Sequence, residues 1–513
     1  MIRKPEGSLR LDVKPNQEVE AGRIAEVSNS RLSALARCFR KRNARGIFLA
    51  VALIGVLCVS ASGRVDSSPS VPKGSEVIRW LQGYLRIDTT NPPGGETAGA
   101  RYLEAILRAE GIETEIVETA PGRGNLIARL HGSGGEPGLV LNSHIDVVAA
   151  GSEPWKYPPF EGHNEGLRIY GRGAIDNKGP GMCQVAALIE LQRRRVKLDR
   201  DIVLLVTADE EMGGHFGVEA LLKKRPELVR GIAGVLGEGG GNDVIVDKVQ
   251  LWRLEIDQKR PLWLRLTARG MPGHGAVPRD DAPSHRLLRG LAQLLAWKPE
   301  PRVSDLLQDC LEKQSKGKLG PKKEILRDLR GALRTRPEEV KALMGAPLQA
   351  LLVPTLAIGK FQGSSNTNVL SAVATADVDL RIRPDDDSEA ILREIRSRVA
   401  PQKLEIQILE LAPPVPPSRI DTELYRSLES FLRREEPGSV VAPTIQQGYS
   451  DGRFFRALGA TVYGFVMMKI NYYDLEGIHG TDERIRTDFF EEGTNRLSRF
   501  LERFCAHGGP KHR

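Results

Sequence analysis

Three short apolar runs constrain this chain more than any other feature: Gly138-Leu-Val-Leu-Asn, Ile202-Val-Leu-Leu-Val and Ile232-Ala-Gly-Val-Leu. Each reads as a buried strand of a mostly parallel sheet, with helices such as Met182 to Leu191 between them. Each run also ends on polar residues able to bind a metal: His144-Ile-Asp146, then Asp209-Glu210-Glu211, then Glu238. Open α/β sheets gather their sites where strands deliver their carboxyl ends. The acidic and imidazole groups are therefore expected to converge on one edge.

The remainder fits around that sheet. Glu76 to Leu85 and Arg101 to Ala109 have amphipathic helical spacing, separated by the loop Asp88-Thr-Thr-Asn-Pro-Pro-Gly-Gly. Around Leu262 the character changes. Leu262 to Ala268 and Ala376 to Ile382 alternate, and helical stretches lie between them, including a highly charged one from Leu306 to Met344. Ala412-Pro-Pro-Val-Pro-Pro-Ser418 is a stiff connector back to a final α/β segment. The expected fold class is α/β: a mostly parallel sheet flanked by helices, with an inserted α+β domain. The expected divisions are a basic arm at 1–45, a signal peptide or signal anchor at 46–63, a linker at 64–75, the catalytic domain at 76–258 and 413–508, and the insert at 259–412.

With 513 residues the chain can bury two domains. Its net charge of +8 is unevenly spread: residues 1–64 hold 12 of the 74 Lys and Arg against 5 of the 66 Asp and Glu. The folded part is left nearly neutral, so the electrostatic footprint of a nucleic-acid binder is missing. In the arm, Arg37, Arg40, Lys41, Arg42 and Arg45 precede an apolar centre from Ile47 to Val59, followed by Ser60-Ala61-Ser62. Thirteen apolar residues fit a signal-peptide core better than a full bilayer span. Cleaved or kept as an anchor, this segment implies positive charge inside and an extracytoplasmic enzyme, meeting the membrane only through its N-terminus. Five widely spaced cysteines give neither a disulfide framework nor a metal-type pair.

The polar groups have a common chemistry. His144 and Asp146 stand two apart, so in a strand the carboxylate could orient the imidazole. Asp176 lies in Gly171-Arg-Gly-Ala-Ile-Asp-Asn-Lys-Gly-Pro-Gly, a loop with neither Walker nor dinucleotide spacing. It reads as an aspartate projected from a sharp turn. Packing Glu210 and Glu211 near Asp176 and Glu238 would cost heavily in like-charge repulsion and desolvation. A pair of divalent cations removes that objection.

The segments "SHIDVV", "GRGAIDNKGPG", "TADEEMGG", "LGEGG" and "GIHGTDERI" stand in the order and spacing of a known family. Over about residues 76–505 the chain resembles the di-zinc amidohydrolases and peptidases that include aminoacylase, carboxypeptidase G, carboxypeptidase S, acetylornithine deacetylase and succinyl-diaminopimelate desuccinylase. "IDTTNPPG" and "PWKYPPFEG" are similar to it as well. The resemblance implies that Asp176 bridges two metals, that His144 and Glu238 complete one site, and that Glu211 and His479 complete the other. Glu210 would be the general base and Asp146 the support of His144. A cis peptide would fall at Asp176–Asn177.

The insert resembles the family's lid and dimerisation domain, which implies a homodimer. "ARGMPGHGAVP" places His274 where a family histidine reaches a neighbouring active site and polarises the scissile carbonyl. Asn368 and Arg381 match substrate-contacting residues, with Arg381 a candidate partner for the substrate carboxylate. In "GYSDGRFF", Tyr449 replaces a small residue of the family loop, and Arg453 either binds carboxylate or is structural. The charged 306–344 stretch would make a long lid.

Two divalent ions are implied as cofactors, with mixed N/O ligation suited to zinc and also open to cobalt or manganese. The implied reaction is cleavage of an amide next to a free carboxylate by a water activated between two metals, in a small acyl-amino-acid or peptide substrate. N-acyl-amino-acid hydrolase and carboxypeptidase or dipeptidase stand as alternatives within that class. A catalytically silent peptidase-fold binding protein and a zinc aminopeptidase are the rivals outside it.

Overall fold

The apolar runs form the centre of one sheet. The computed structural model describes residues 75–343 and 345–506. The basic arm, the apolar segment 46–63 and all of the linker except Ser75 lie outside the described residues. No helix among those described is long and apolar enough to cross a membrane.

The chain first makes helix α1 (Glu76–Leu85) and helix α2 (Glu96–Ala109), the first with the bounds its spacing predicts. Ile78, Leu81, Tyr84 and Leu85 of α1 form its buried stripe. The strands up to the insert are β1 (Glu113–Glu118), β2 (Gly124–Leu130), β3 (Gly138–His144), β4 (Ile202–Thr207), β5 (Ile232–Gly237), β6 (Gly241–Ile245) and β7 (Lys248–Gln258). The insert contributes β8 (Arg260–Arg269), β9 (Thr355–Gln362), β10 (Val373–Ile382) and β11 (Glu405–Leu411); β12 (Val440–Gln446) and β13 (Val462–Gly464) follow.

Nine strands make the large mixed sheet, in the order β1-β2-β4-β3-β5-β13-β7-β12, with β6 paired to β7. Its centre, β4-β3-β5-β13, is parallel. Leu139, Leu141, Ile202, Leu204, Leu205 and Val206 there have no exposed surface. Burying each such side chain contributes about 1.5–3 kcal/mol. Helix α3 (Lys178–Arg193) and helix α6 (Thr487–Cys505) pack together over one face. The three described cysteines, Cys183, Cys310 and Cys505, are free and buried.

Register decides where the polar residues fall. Parallel pairing sets His144 beside Thr207, two residues before Asp209. It also sets Leu141 beside Leu236, two residues before Glu238. The three runs therefore end together and deliver their polar residues to one sheet edge, as the sequence predicts.

The chain leaves the large sheet after Gln258 and builds an antiparallel sheet, β9-β10-β8-β11. Helix α4 (Pro283–Leu295) and helix α5 (Ser388–Val399) back it, and Leu264, Leu266, Leu287, Val378, Leu380 and Leu392 form a core of its own. Strand β10 alternates buried and half-buried positions along its length. The charged 306–344 stretch departs from expectation. Its helices do not lengthen this insert: Leu307, Leu311, Ile325 and Leu329 join the core of the large sheet, and Gln314 donates to the Pro443 carbonyl of β12 at 2.8 Å. β12 is an edge strand, and the helix Asp305–Ser315 packs along it.

Candidate active site

β3 ends at His144, whose side chain is 1% exposed. Its Nε2 lies 3.0 Å from Asp176 Oδ1 and 3.1 Å from Glu238 Oε2. His479 comes from the far end of the chain, with φ of 58°. Its Nε2 lies 3.2 Å from Asp176 Oδ2 and 3.2 Å from Glu211 Oε2. One carboxylate, Asp176, thus presents an oxygen to each imidazole. The Asp176–Asn177 peptide is cis, and Asn177 Nδ2 donates to Glu238 Oε2 at 2.9 Å.

Glu210 and Glu211 sit on a short turn after β4, between the left-handed residues Asp209 (φ 70°) and Gly213 (φ 109°). Asp146 builds that turn. Its carboxylate accepts the backbone N–H groups of Glu210 and Glu211, both at 3.1 Å, and the Asn91 side chain at 2.9 Å. This adds to the support of His144 expected for Asp146. β3 stops at His144, so Asp146 is already off the sheet; His144 Nδ1 lies 3.0 Å from the Asp146 backbone carbonyl and 3.5 Å from its carboxylate. The carbonyl and the carboxylate of Asp146 both face the imidazole, and the carboxylate also holds the Glu210 turn. Asn91, which also donates to Asp209 at 3.1 Å and accepts from Arg123, is a part of the site that the residue-level reading passed over. Its signal was the "TTNPPG" loop, quoted only for family likeness.

The site gathers buried acidic groups and two imidazoles close together. Burial first, and then Glu238, raises the Glu210 carboxyl well above the usual range. Burial and Asp176 push Glu211 up to about 7. Burial would raise Asp176 too, but hydrogen bonds from His144 and His479 hold it well below the usual range. Those bonds, with Glu211, lift His479 to about 10. Burial opposes protonation of His144, yet Glu238 and the neighbouring carboxylates raise it. The two imidazoles stand in for positive charge among four carboxylates.

These residues fit divalent metals. Tetrahedral coordination with bonds of about 2.0–2.1 Å spaces its donors about 3.3 Å apart, and the imidazole-to-carboxylate separations here are 3.0–3.2 Å. His144, Glu210 and Glu238 also group closely enough to hold an ion, as do His144, Asp176 and Glu211. Glu210 stands 3.9 Å from His144 Nε2, farther than Asp176 or Glu238, and so sits back from the donor set.

The insert residues lie apart from this cluster in different ways. His274 and Asn368 are brought together on an exposed ribbon, where Gly273–His274 pairs with Val369–Leu370 and Gly275 N donates to the Asn368 carbonyl at 2.7 Å. Arg381 gives Nε and Nη2 to Asp379 at 2.6 and 3.0 Å, and its guanidinium lies 4.7 Å from the Tyr449 ring. Arg453 uses one nitrogen of its guanidinium in bonds within the chain, and its buried Nε and Nη1 have no hydrogen-bond partner among the described residues. It is 7% exposed, donates to the Gly213 carbonyl at 2.7 Å and pairs with Glu410 of β11 at 3.1 Å. These bonds tie the helix Gly452–Ala457 to the Glu210 turn and to β11 of the insert.

This site on this fold defines the chain as an amide-bond hydrolase with a candidate metal centre. The chain belongs to peptidase family M20/M25/M40, whose model matches residues 140–503. It is 27% identical to human aminoacylase-1 over 454 residues, covering 86% of this chain and 97% of that one. It is 29% identical to the N-fatty-acyl-amino acid synthase/hydrolase PM20D1 of Xenopus tropicalis over 81% of this chain and 83% of that one. The fold is shared with an M20 family metallo-carboxypeptidase of Sulfolobus solfataricus, at a TM-score of 0.63 and 20% identity over 83% of this chain and 99% of that one. It is shared as well with the di-peptidase Dug1p of Saccharomyces cerevisiae, at 0.65 and 16% over 83% and 95%.

Proposed function

We propose that the chain uses two divalent cations, zinc by preference, to hydrolyse an amide bond next to a free carboxylate, as an N-acyl-amino-acid hydrolase. The observation that carries this reading is the sharing of Asp176: one oxygen faces His144 and the other His479. Glu238 would join His144 in holding one ion, and Glu211 would join His479 in holding the other. Such a pair of ions supplies Lewis acidity and lowers the pKa of water toward neutrality.

The chain's own residues do the rest. Glu210 takes the proton of the attacking water and passes it to the departing nitrogen; burial raises its carboxyl above the ordinary range, and it stands behind the donors, as suits a group that gains a proton and then gives it up. Asp146 and Asn91 keep the Glu210 turn in place. His274, carried on the exposed ribbon, polarises the scissile carbonyl in the site of a second copy, and Asn368 beside it contacts the substrate. Removing a donor of that kind costs roughly 100- to 1000-fold in turnover. Arg381 is the candidate guanidinium for the substrate carboxylate; it lies 4.7 Å from the Tyr449 ring beside the Glu210 turn, and Arg453 lies 5.1 Å from the same ring. A homodimer through the insert follows from His274 acting in a second copy. The cationic flank and apolar run of the N-terminal segment support an extracytoplasmic location, with that segment either cleaved or kept as an anchor.

A carboxypeptidase or dipeptidase is the second reading, favoured by the likeness to the carboxypeptidase of Sulfolobus solfataricus and to a probable carboxypeptidase S-like protein of Dictyostelium discoideum. Zinc-loaded protein assayed on a panel of N-acyl amino acids, dipeptides and their C-terminal amides separates the two. Faster hydrolysis of the acyl amino acids, with loss of cleavage on amidation, is expected. Protein that holds two ions and cleaves nothing in the panel would overturn the proposal in favour of a silent binding protein.

A further inference from the structure

The turn that carries His479 also carries Glu483, a fully enclosed carboxylate beside the site. It has no exposed surface. Its Oε2 accepts from Arg172 Nη1 at 2.7 Å and from Gly173 N at 2.8 Å, and its Oε1 accepts from Ile175 N at 2.8 Å and Asp176 N at 3.0 Å. All four donors belong to the stretch 172–176, which ends on Asp176. The main chain repeats the connection, with Gly171 N donating to the Glu483 carbonyl at 2.9 Å. Arg172 Nη2 completes it by donating to the Gly480 carbonyl at 2.6 Å, one residue past His479.

The loop from 477 to 483 is shaped for this reach. A β-carbon on Gly477 would stand 2.8 Å from the Glu483 Cα, so the turn closes on itself only with glycine there. His479 and Asp482 both adopt left-handed backbone, φ 58° and 56°. His479 therefore points outward to Asp176 Oδ2 while Glu483 passes behind and grips the Asp176 backbone.

We propose that Glu483 is a positioning residue that fixes Asp176 and His479 relative to each other, and through them the ion these two would share; this rests on the two-cation reading above. Glu483 touches neither substrate nor ion. Hydrogen bonds from N–H groups and a guanidinium to a carboxylate are short and strong, and a buried carboxylate needs them all. Glutamine keeps an acceptor for two of the four donors but turns an NH2 group toward the other two. Aspartate keeps the charge on a shorter stem.

Zinc titration of the chelator-stripped protein by calorimetry, on wild type, Glu483→Gln and Glu483→Asp, tests this. Wild type is expected to take up two ions. Glu483→Gln, with unchanged circular dichroism, is expected to bind one of the two at least tenfold more weakly, and Glu483→Asp to fall between. A residue that only supports the fold would lower the melting temperature and leave both affinities of the folded protein unchanged, and that result overturns the proposal. Should Glu483→Gln not fold, the pair Arg172→Met with Glu483→Gln, which leaves no unpaired buried charge, is read by the same titration. Amide exchange of the wild type gives an independent reading: slow exchange at 173, 175 and 176 is expected, and exchange as fast as in exposed loops sinks the idea. Wild type that binds no ion would instead sink the two-cation reading itself.

Discussion

The phenol of Tyr449 donates a hydrogen bond to the backbone carbonyl of Glu210 at 3.0 Å. The same ring lies edge-on to Trp263 at 5.9 Å and under the guanidinium of Arg381 at 4.7 Å. Trp263 and Arg381 belong to the inserted sheet, and Trp263 Nε1 donates to the Asp379 that holds Arg381. The place where the resemblance expects a small residue is thus filled by a side chain that ties the insert to the turn of the proposed base. Tyr449→Phe keeps the ring contacts and removes one hydrogen bond, worth about 0.5–1.5 kcal/mol. A fall in kcat of roughly 2- to 10-fold, with cation content unchanged, is expected from steady-state kinetics and elemental analysis.

Glu210→Ala removes the group that moves the proton and none of the five proposed ligands. The variant is expected to keep both ions and lose about 100- to 10,000-fold in kcat. Elemental analysis beside the assay checks both halves, and loss of metal would contradict the role given to Glu210.

His144 and His479 meet opposite oxygens of Asp176. His144→Ala and His479→Ala are therefore each expected to lower the zinc content of the purified protein from two ions toward one. His479, 53% exposed, should be the less costly to stability, and His144, 1% exposed, the more costly. Thermal unfolding of the two stripped variants orders them.

His215 joins the helical turn His215–Glu219 to β11 of the insert, its Nε2 lying 2.7 Å from Glu410 Oε2 and its Nδ1 meeting Glu219. Its bond to Glu410, aided by Glu219, outweighs partial burial and raises its pKa to about 9. A raised imidazole pKa adds stability that is full below the unfolded value of about 6.5 and is lost as pH climbs through about 9. The ring is 47% exposed, so screening keeps the effect small. The melting temperature of wild type is expected to fall by about 1–3 °C more than that of His215→Gln between pH 6.5 and 9.5.

Much of this was legible because the sheet writes itself into the sequence. The runs at 138, 202 and 232 are apolar on both faces, and parallel register brings their ends level, so His144, Glu210, Glu211 and Glu238 could be placed on one edge before any coordinates. Asp176 and His479 were reached by motif, since no periodicity governs a loop. Three features were not legible. The charged helices at 306–344 carry their apolar residues on one side, and only the fold shows that this side meets β12. The spacing of His144 and Asp146 points to the support of the imidazole, but only the departure of the chain from β3 after His144 shows that the Asp146 carboxylate also builds the Glu210 turn. Arg453 and Glu410 are 43 positions apart and pair between the helix Gly452–Ala457 and β11 of the insert, a pairing that residue type alone does not give.

The central claim is that two cations flank Asp176, and anomalous scattering from zinc-soaked crystals at the zinc edge tests it most directly. Two peaks are expected, one bonded by His144, Glu238 and one oxygen of Asp176, the other by His479, Glu211 and its second oxygen. A map with no peak within bonding distance of Asp176, from crystals in which the protein is fully folded, would contradict the account.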